Sequence, residues 1–117
     1  MTLEREWMRG AAPLAVLTLL DRTEMYGYEL VEALERDTGG LLAMGQSTVY
    51  PLLYNLEGRG FVSPITKTAP SGRRRKYYRI TAKGQAWLVT QRDQWAKLRE
   101  GMEKLGLGEG GVEPAAP

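Results

Sequence analysis

Between Ser47 and Gly58 the chain places Val49, Leu52, Leu53 and Leu56 at i, i+3, i+4 and i+7, the spacing of one apolar helical face. A proline stands at 51 inside that pattern. In a helix interior a proline removes one hydrogen bond and crowds the preceding turn, and it biases its predecessor, here Tyr50, away from helical angles. The first amides of a helix have no internal partner, so a proline in the first turn loses little. The stretch therefore predicts a helix capped by Ser47 or Thr48, with Pro51 at its first turn, running from about residue 48 to Glu57 and stopped by Gly58 and Gly60. With the four aliphatic residues facing a core, Ser47, Pro51, Tyr54 and Gly58 point away, and Thr48, Tyr50 and Asn55 lie on the flanks.

The remainder of the chain, 117 residues in all, orders itself around that helix. Thr2 can cap a short first helix with Glu4 and Glu6 in its opening turns, and Leu3 and Trp7 share one face. Gly10 and Pro13 predict a kink or a restart. Leu14, Val16, Leu17, Leu19 and Leu20 form an almost all-round apolar helix that belongs in the middle of a core. Asp21 to Met25 reads as a polar connection. Gly27, Leu30, Val31 and Leu34 repeat the helical spacing, with a stop at Thr38-Gly39-Gly40. Leu41 to Met44 reads as a link or a very short strand. Phe61–Thr66 and Lys76–Ile80 predict two strands, the first an edge strand because of Pro64, joined by a turn-rich loop over Lys67–Arg75. Thr81 caps a long helix reaching Leu105 and closed by Gly106, and residues 106–117 read as a disordered tail.

Composition narrows the chemistry. There is no cysteine and no histidine, which removes disulfides, most zinc and copper sites, and the Ser-His and Cys-His pairs. No apolar run approaches the roughly 20 residues of a membrane span, and the start of the chain does not resemble a signal peptide, so a soluble cytoplasmic protein without a cofactor is expected. The net charge of +2 conceals a segregation: four basic and nine acidic side chains in 1–57, nine basic and none acidic in 58–92, three basic and five acidic in 93–117. A block of nine positive charges without a negative one suggests a polyanionic partner.

Helix, helix, helix, basic hairpin, long helix is the layout of a winged helix-turn-helix, a mainly α chain with a small β-hairpin (α+β). In such a motif the third helix enters the major groove. The segments MYGYEL at 25–30, STVYPLLYNLEGRGFV at 47–62 and GRRRKYYRITAKG at 72–84 resemble the PadR family of bacterial transcriptional regulators. Tyr50-Pro51, Leu56-Glu57 and Gly60 match the family's recognition helix, and Lys76-Tyr77-Tyr78, Thr81 and Gly84 match its basic wing. Val49 stands where leucine is usual. The resemblance covers roughly residues 7–105 and implies a dimeric repressor that binds a palindromic operator on double-stranded DNA and dimerises through its last helix, in the short subclass that has no separate C-terminal domain. The expected division is 1–80 DNA-binding domain, 81–105 dimerisation helix, 106–117 tail. Expected DNA contacts are Gln46, Ser47, Thr48, Tyr50, Pro51, Tyr54 and Asn55 from the helix, and Lys67, Arg73, Arg74, Arg75 and Lys76 from the wing. Tyr50 and Tyr54 have the alternative of merely rimming the core.

In the long helix, Leu88, Gln91, Trp95, Leu98, Met102 and Leu105 follow 3-4-3-4 spacing, a heptad seam with one polar position. A partner chain can cover that seam, so Leu88, Trp95, Leu98, Met102 and Leu105 are expected at a homodimer interface; the alternative is packing on the helix's own domain. Trp95 lies mid-seam. Some PadR-like regulators bind planar aromatic compounds at the dimer interface, so Trp95, with Trp7 and Gln91, is a candidate ligand site, against the alternative of a packing tryptophan. A winged helix used only for protein–protein contact is the other functional reading, which the acid-free block disfavours.

Overall fold

The structure, a computed structural model, describes residues 2–108. Helix α1 runs Arg5–Arg22, strand β1 Met25–Tyr26, helix α2 Gly27–Asp37, helix α3 Gln46–Gly58, strands β2 and β3 Val62–Thr68 and Arg74–Ile80, and helix α4 Ala82–Lys104. The expected α+β winged-helix layout is present, with one addition. Met25–Tyr26 pairs antiparallel with Tyr78 and Tyr77, so the hairpin is a three-stranded sheet in the order β1-β3-β2. Pro64 sits on β2, an edge strand, where a missing N–H is tolerated.

Helix α1 differs from expectation. It is continuous through Gly10 and Pro13, and its N-cap is Glu4 rather than Thr2. Pro13 deprives only the Arg9 carbonyl of its helical partner, and Arg9 is exposed, so water can satisfy that oxygen. The chain before it is pinned by the Leu3 amide donating to the Leu41 carbonyl at 3.1 Å. Leu41–Met44 is turn and coil, not a strand.

The core is built where all four helices and the sheet meet. Val16, Leu17 and Leu20 of α1, Leu30 and Leu34 of α2, Val49, Leu53 and Leu56 of α3, Val62 and Tyr78 of the sheet, and Leu88 of α4 form one buried cluster. The helix-turn-helix closes tightly because α2 starts on glycine. A Cβ at Gly27 would lie 2.5 Å from Cζ of Tyr50.

The root of the wing is locked to α4. The Thr81 hydroxyl donates to the Gly60 carbonyl at 2.6 Å and accepts the Gly84 amide at 3.0 Å, while the Thr81 amide donates to the Phe61 carbonyl. A Cβ at Gly84 would fall 2.1 Å from the Phe61 oxygen, so only glycine lets helix and strand approach this closely. Trp87 then stacks on Phe61 with centroids 4.9 Å apart. Beyond this anchor α4 projects away, which stretches the molecule to 65 × 29 × 21 Å. Residues 109–117, most of the expected tail, lie outside the described residues.

Candidate nucleic-acid interface

The α3 helix begins earlier than the capping residues suggested. Its N-cap is Gly45, so Ser47 and Thr48 are inside the helix and Pro51 is in the second turn. The proline therefore does cost one bond, that of the Ser47 carbonyl. Ser47 and Pro51 are both exposed on the outward face, where solvent or a ligand reaches that oxygen. Gln46, Thr48, Tyr54 and Asn55 are exposed beside them. Tyr50 is not part of this surface: it is half-buried, packs on the core cluster and covers Gly27. The alternative of a core-rim tyrosine therefore holds for Tyr50, whereas Tyr54 is exposed.

The wing does not present its basic residues as one block. Side chains alternate across a strand, and β3 places Arg74, Lys76 and Tyr78 on one face and Arg75 and Tyr77 on the other. On the α3 side, the Lys76 ammonium lies 3.9 Å from Glu57 Oε1 and over the rings of Tyr54 and Tyr78 at 5.6 and 5.4 Å. That Glu57 oxygen is shielded from solvent and has no hydrogen bond, so Lys76 supplies its compensating charge. The Tyr78 hydroxyl first, opposed by burial, and then more weakly Glu57 and Tyr54, hold Lys76 above the ordinary lysine value. Burial pushes the Tyr78 phenol up, and Lys76 partly offsets the shift.

On the opposite face, Arg75 lies over Tyr26 at 5.1 Å and Lys67 over Tyr77 at 4.3 Å, and Tyr26 meets Tyr77 edge-on. Lys67 is also paired with Glu24. Both cations hold β1 onto the sheet. Arg73 and Arg74 at the tip, and Arg79 further along β3, are exposed and without an ion pair among the described residues. Of the other basic residues in 58–92, Arg59 and Lys83 lie over the Phe61–Trp87 stack at the wing root, and Arg92 is 3.7 Å from Asp21. The charge block of the sequence is thus divided between free cations, at the tip and at Arg79, and neutralised or stacked ones. Arg59 and Lys83 were not singled out from sequence; glycine at 60 and aromatics at 61 and 87 were the available signal.

Along α4 the seam is likewise divided. Leu88 is 1% exposed within the domain's own core, so it is not available to a partner. Its neighbours further along, Trp95, Leu98, Met102 and Leu105, are exposed, Leu98 by 54% and Leu105 by 76%. Gln91 is half-buried at the boundary. The Arg99 guanidinium lies over the Trp95 ring at 5.0 Å. Trp7, the other expected member of the ligand site, is exposed on α1.

Comparison with known proteins places these features in a wider set. The sequence model of the "Transcriptional regulator PadR-like family" matches residues 16–90. A PadR-like transcriptional regulator from Bacillus cereus superposes with a TM-score of 0.80 at 28% identity, over 89% of this chain and 99% of that one. A PadR family transcriptional regulator from Eggerthella lenta is 37% identical with a TM-score of 0.72, over 86% of this chain and 85% of that one. The transcriptional regulator YqjI of Escherichia coli is 31% identical over 97 residues, which span 83% of this chain and 45% of YqjI.

Proposed function

The chain belongs to the PadR-like family of transcriptional regulators, and on that premise we propose that it is a sequence-specific DNA-binding repressor, acting as a homodimer on a palindromic operator. The observation that carries the reading is the presence of an outward polar α3 face together with an Arg73-Arg74 tip that has no ion pair among the described residues. Gln46, Ser47, Thr48 and Asn55 are of the types that hydrogen-bond base edges and phosphates. Arg73 and Arg74 are free to neutralise backbone phosphate. Lys76 and Glu57 fix the wing against the helix, so both contact the duplex as one body.

The exposed apolar stripe of Trp95, Leu98, Met102 and Leu105 supports dimerisation, since a partner stripe removes it from water. Two recognition helices related by a two-fold axis then read half-sites about one helical turn, roughly 10 base pairs, apart. A planar aromatic ligand at Trp95 changes the crossing angle of the two α4 helices, and the Thr81–Gly84 lock passes that change to the wing. Arg99 over the indole marks a ring face that accepts a planar cation. Release of DNA then follows from the ligand's differential affinity for two arrangements.

Selection of bound duplexes from a random pool tests the reading. The expected result is a palindrome whose binding weakens steeply with salt. An unstructured pool with salt-independent binding would leave the winged helix as a protein–protein module.

A further inference from the structure

The outward face of α3 carries an apolar pair among its polar residues. Pro51 and Tyr54, at i and i+3, are both exposed, Tyr54 by 59%. No lysine or arginine lies between Gln46 and Gly58, so the helix lacks the side chains that most often read guanine. Hydrogen-bonding readout by Gln46, Ser47, Thr48 and Asn55 gives no reason for a proline and a phenol ring to stand uncovered beside them. The major-groove edges of the bases carry one methyl group, that of thymine, and an apolar side chain is what matches it.

Tyr54 differs from an ordinary surface tyrosine in how its ring is held. The Lys76 ammonium, from the wing, lies over that ring at 5.6 Å. At an exposed site such a contact favours one ring position by a factor of about two to five. Lys76 is itself held, 5.4 Å from the Tyr78 ring and 3.9 Å from Glu57 Oε1. Glu57 and Tyr54 lie three residues apart, so neighbouring turns of α3 supply both the carboxylate and the ring. An ammonium committed to these three neighbours is placed to orient Tyr54, unlike the unpaired guanidiniums of Arg73 and Arg74 at the tip.

We propose that Pro51 and Tyr54 read the 5-methyl group of a thymine in each operator half-site, and that Lys76 is the positioning residue that holds the Tyr54 ring for that contact. The inference rests on the DNA-binding reading and adds which base is read and through which side chains. Lys76, expected from the sequence to touch DNA, then acts through Tyr54 instead.

The duplex recovered from the random pool is remade with each thymine in turn replaced by deoxyuridine, which lacks only the methyl. With the full-length protein, one such replacement per half-site should weaken binding about fourfold, the scale of one methyl left in water. Tyr54→Ala should bind the thymine and deoxyuridine duplexes alike at that position, and Tyr54→Phe should still discriminate. Lys76→Gln should lose most of the discrimination with the salt slope unchanged, and Lys76→Arg should keep it. Lys76→Gln leaves the shielded Glu57 oxygen without its counter-charge. The Glu57→Gln/Lys76→Gln double variant, which removes both charges, is therefore measured beside it and should behave the same. Specific, salt-dependent binding that is indifferent to every replacement overturns this inference and leaves the DNA-binding reading standing. Discrimination that survives Tyr54→Ala does the same. A salt slope flattened by about one unit in Lys76→Gln makes Lys76 a phosphate contact and overturns its positioning role. A pool that yields no preferred duplex overturns both readings.

Discussion

Helices α3 and α4 carry nearly the same apolar spacing and meet opposite fates. In α3 the stripe of Val49, Leu53 and Leu56 is wholly buried by the chain's own α1, α2 and sheet. In α4 only the first member, Leu88, is covered, and everything from Trp95 onward faces solvent. Periodicity reports that a helix needs a surface to pack on; it does not say whose. The difference arises from placement. The apolar face of α3 is covered because α2 and the sheet pack against it, whereas about 35 Å of α4, 23 residues at 1.5 Å each, outruns a domain this small.

The largest effect comes from cutting the same group out of each stripe. Leu53→Ala opens a cavity in a fully packed site and should cost about 2–5 kcal/mol of unfolding free energy, a large part of the roughly 5–15 typical of a domain. Leu98→Ala, measured by urea unfolding at a concentration where the chain is monomeric, should change stability by less than about 0.5 kcal/mol. Equal costs would mean that α4 packs on its own domain after all.

A charge sharpens the same contrast. Leu98→Lys should leave the monomer folded by circular dichroism, because the position is open to water. It should weaken self-association in sedimentation by about tenfold or more, since two ammonium groups would meet in a dewatered layer. A variant that sediments as the wild type at every concentration would remove the stripe from the interface.

The wing allows an equivalent comparison between its tip and its body. Arg73→Ala/Arg74→Ala should weaken binding to all duplexes alike and flatten the logarithmic salt slope by about two units per protomer. Arg75→Ala should leave that slope unchanged and instead loosen β1, because its guanidinium lies over Tyr26 rather than at the tip. If Arg75→Ala flattens the slope as much as Arg74→Ala, strand alternation is not what separates these two arginines.

These divisions explain what could and could not be read from the chain. The recognition helix, the hairpin and the long helix were legible because each carries a local signal: the Val49–Leu56 spacing, the Pro70-Ser71-Gly72 turn, the Thr81 cap. The two residues of β1 were not, since a strand that short has no period and exists only through its pairing with Tyr77 and Tyr78. The break expected at Gly10 and Pro13 failed because the only carbonyl deprived of a bond is on a solvent-facing residue. For the site, Tyr54 and the Arg73-Arg74 tip are exposed, whereas Tyr50, Lys67, Arg75 and Leu88 are engaged within the protein. Their partners, Gly27, Glu24, Tyr26 and the core, are distant in sequence or lie across a strand, beyond what local composition records.

The smallest predicted effect concerns what ties α3 to the sheet and has no counterpart on outer α4. Burial first, opposed by the Lys76 ammonium, leaves the Tyr78 phenol above its ordinary value near 10. A tyrosine whose folded pKa exceeds its unfolded one stabilises fully below the unfolded value, and that contribution is lost as pH rises through the folded one. Lys76, held up chiefly by its bond to the Tyr78 hydroxyl, has the same sign. The urea midpoint should therefore be flat around neutrality as far as these groups are concerned and should fall in the alkaline range. Tyr78→Phe cannot ionise, so its midpoint, scaled to its own neutral value, should fall less. Lys97→Gln, which breaks the exposed Asp93 pair at 3.1 Å on α4, should leave the alkaline limb as in wild type. A Tyr78→Phe curve that parallels wild type through the alkaline range would show that the Tyr78–Lys76–Glu57 cluster does not couple the wing to the helix, and that core packing alone sets the angle between them.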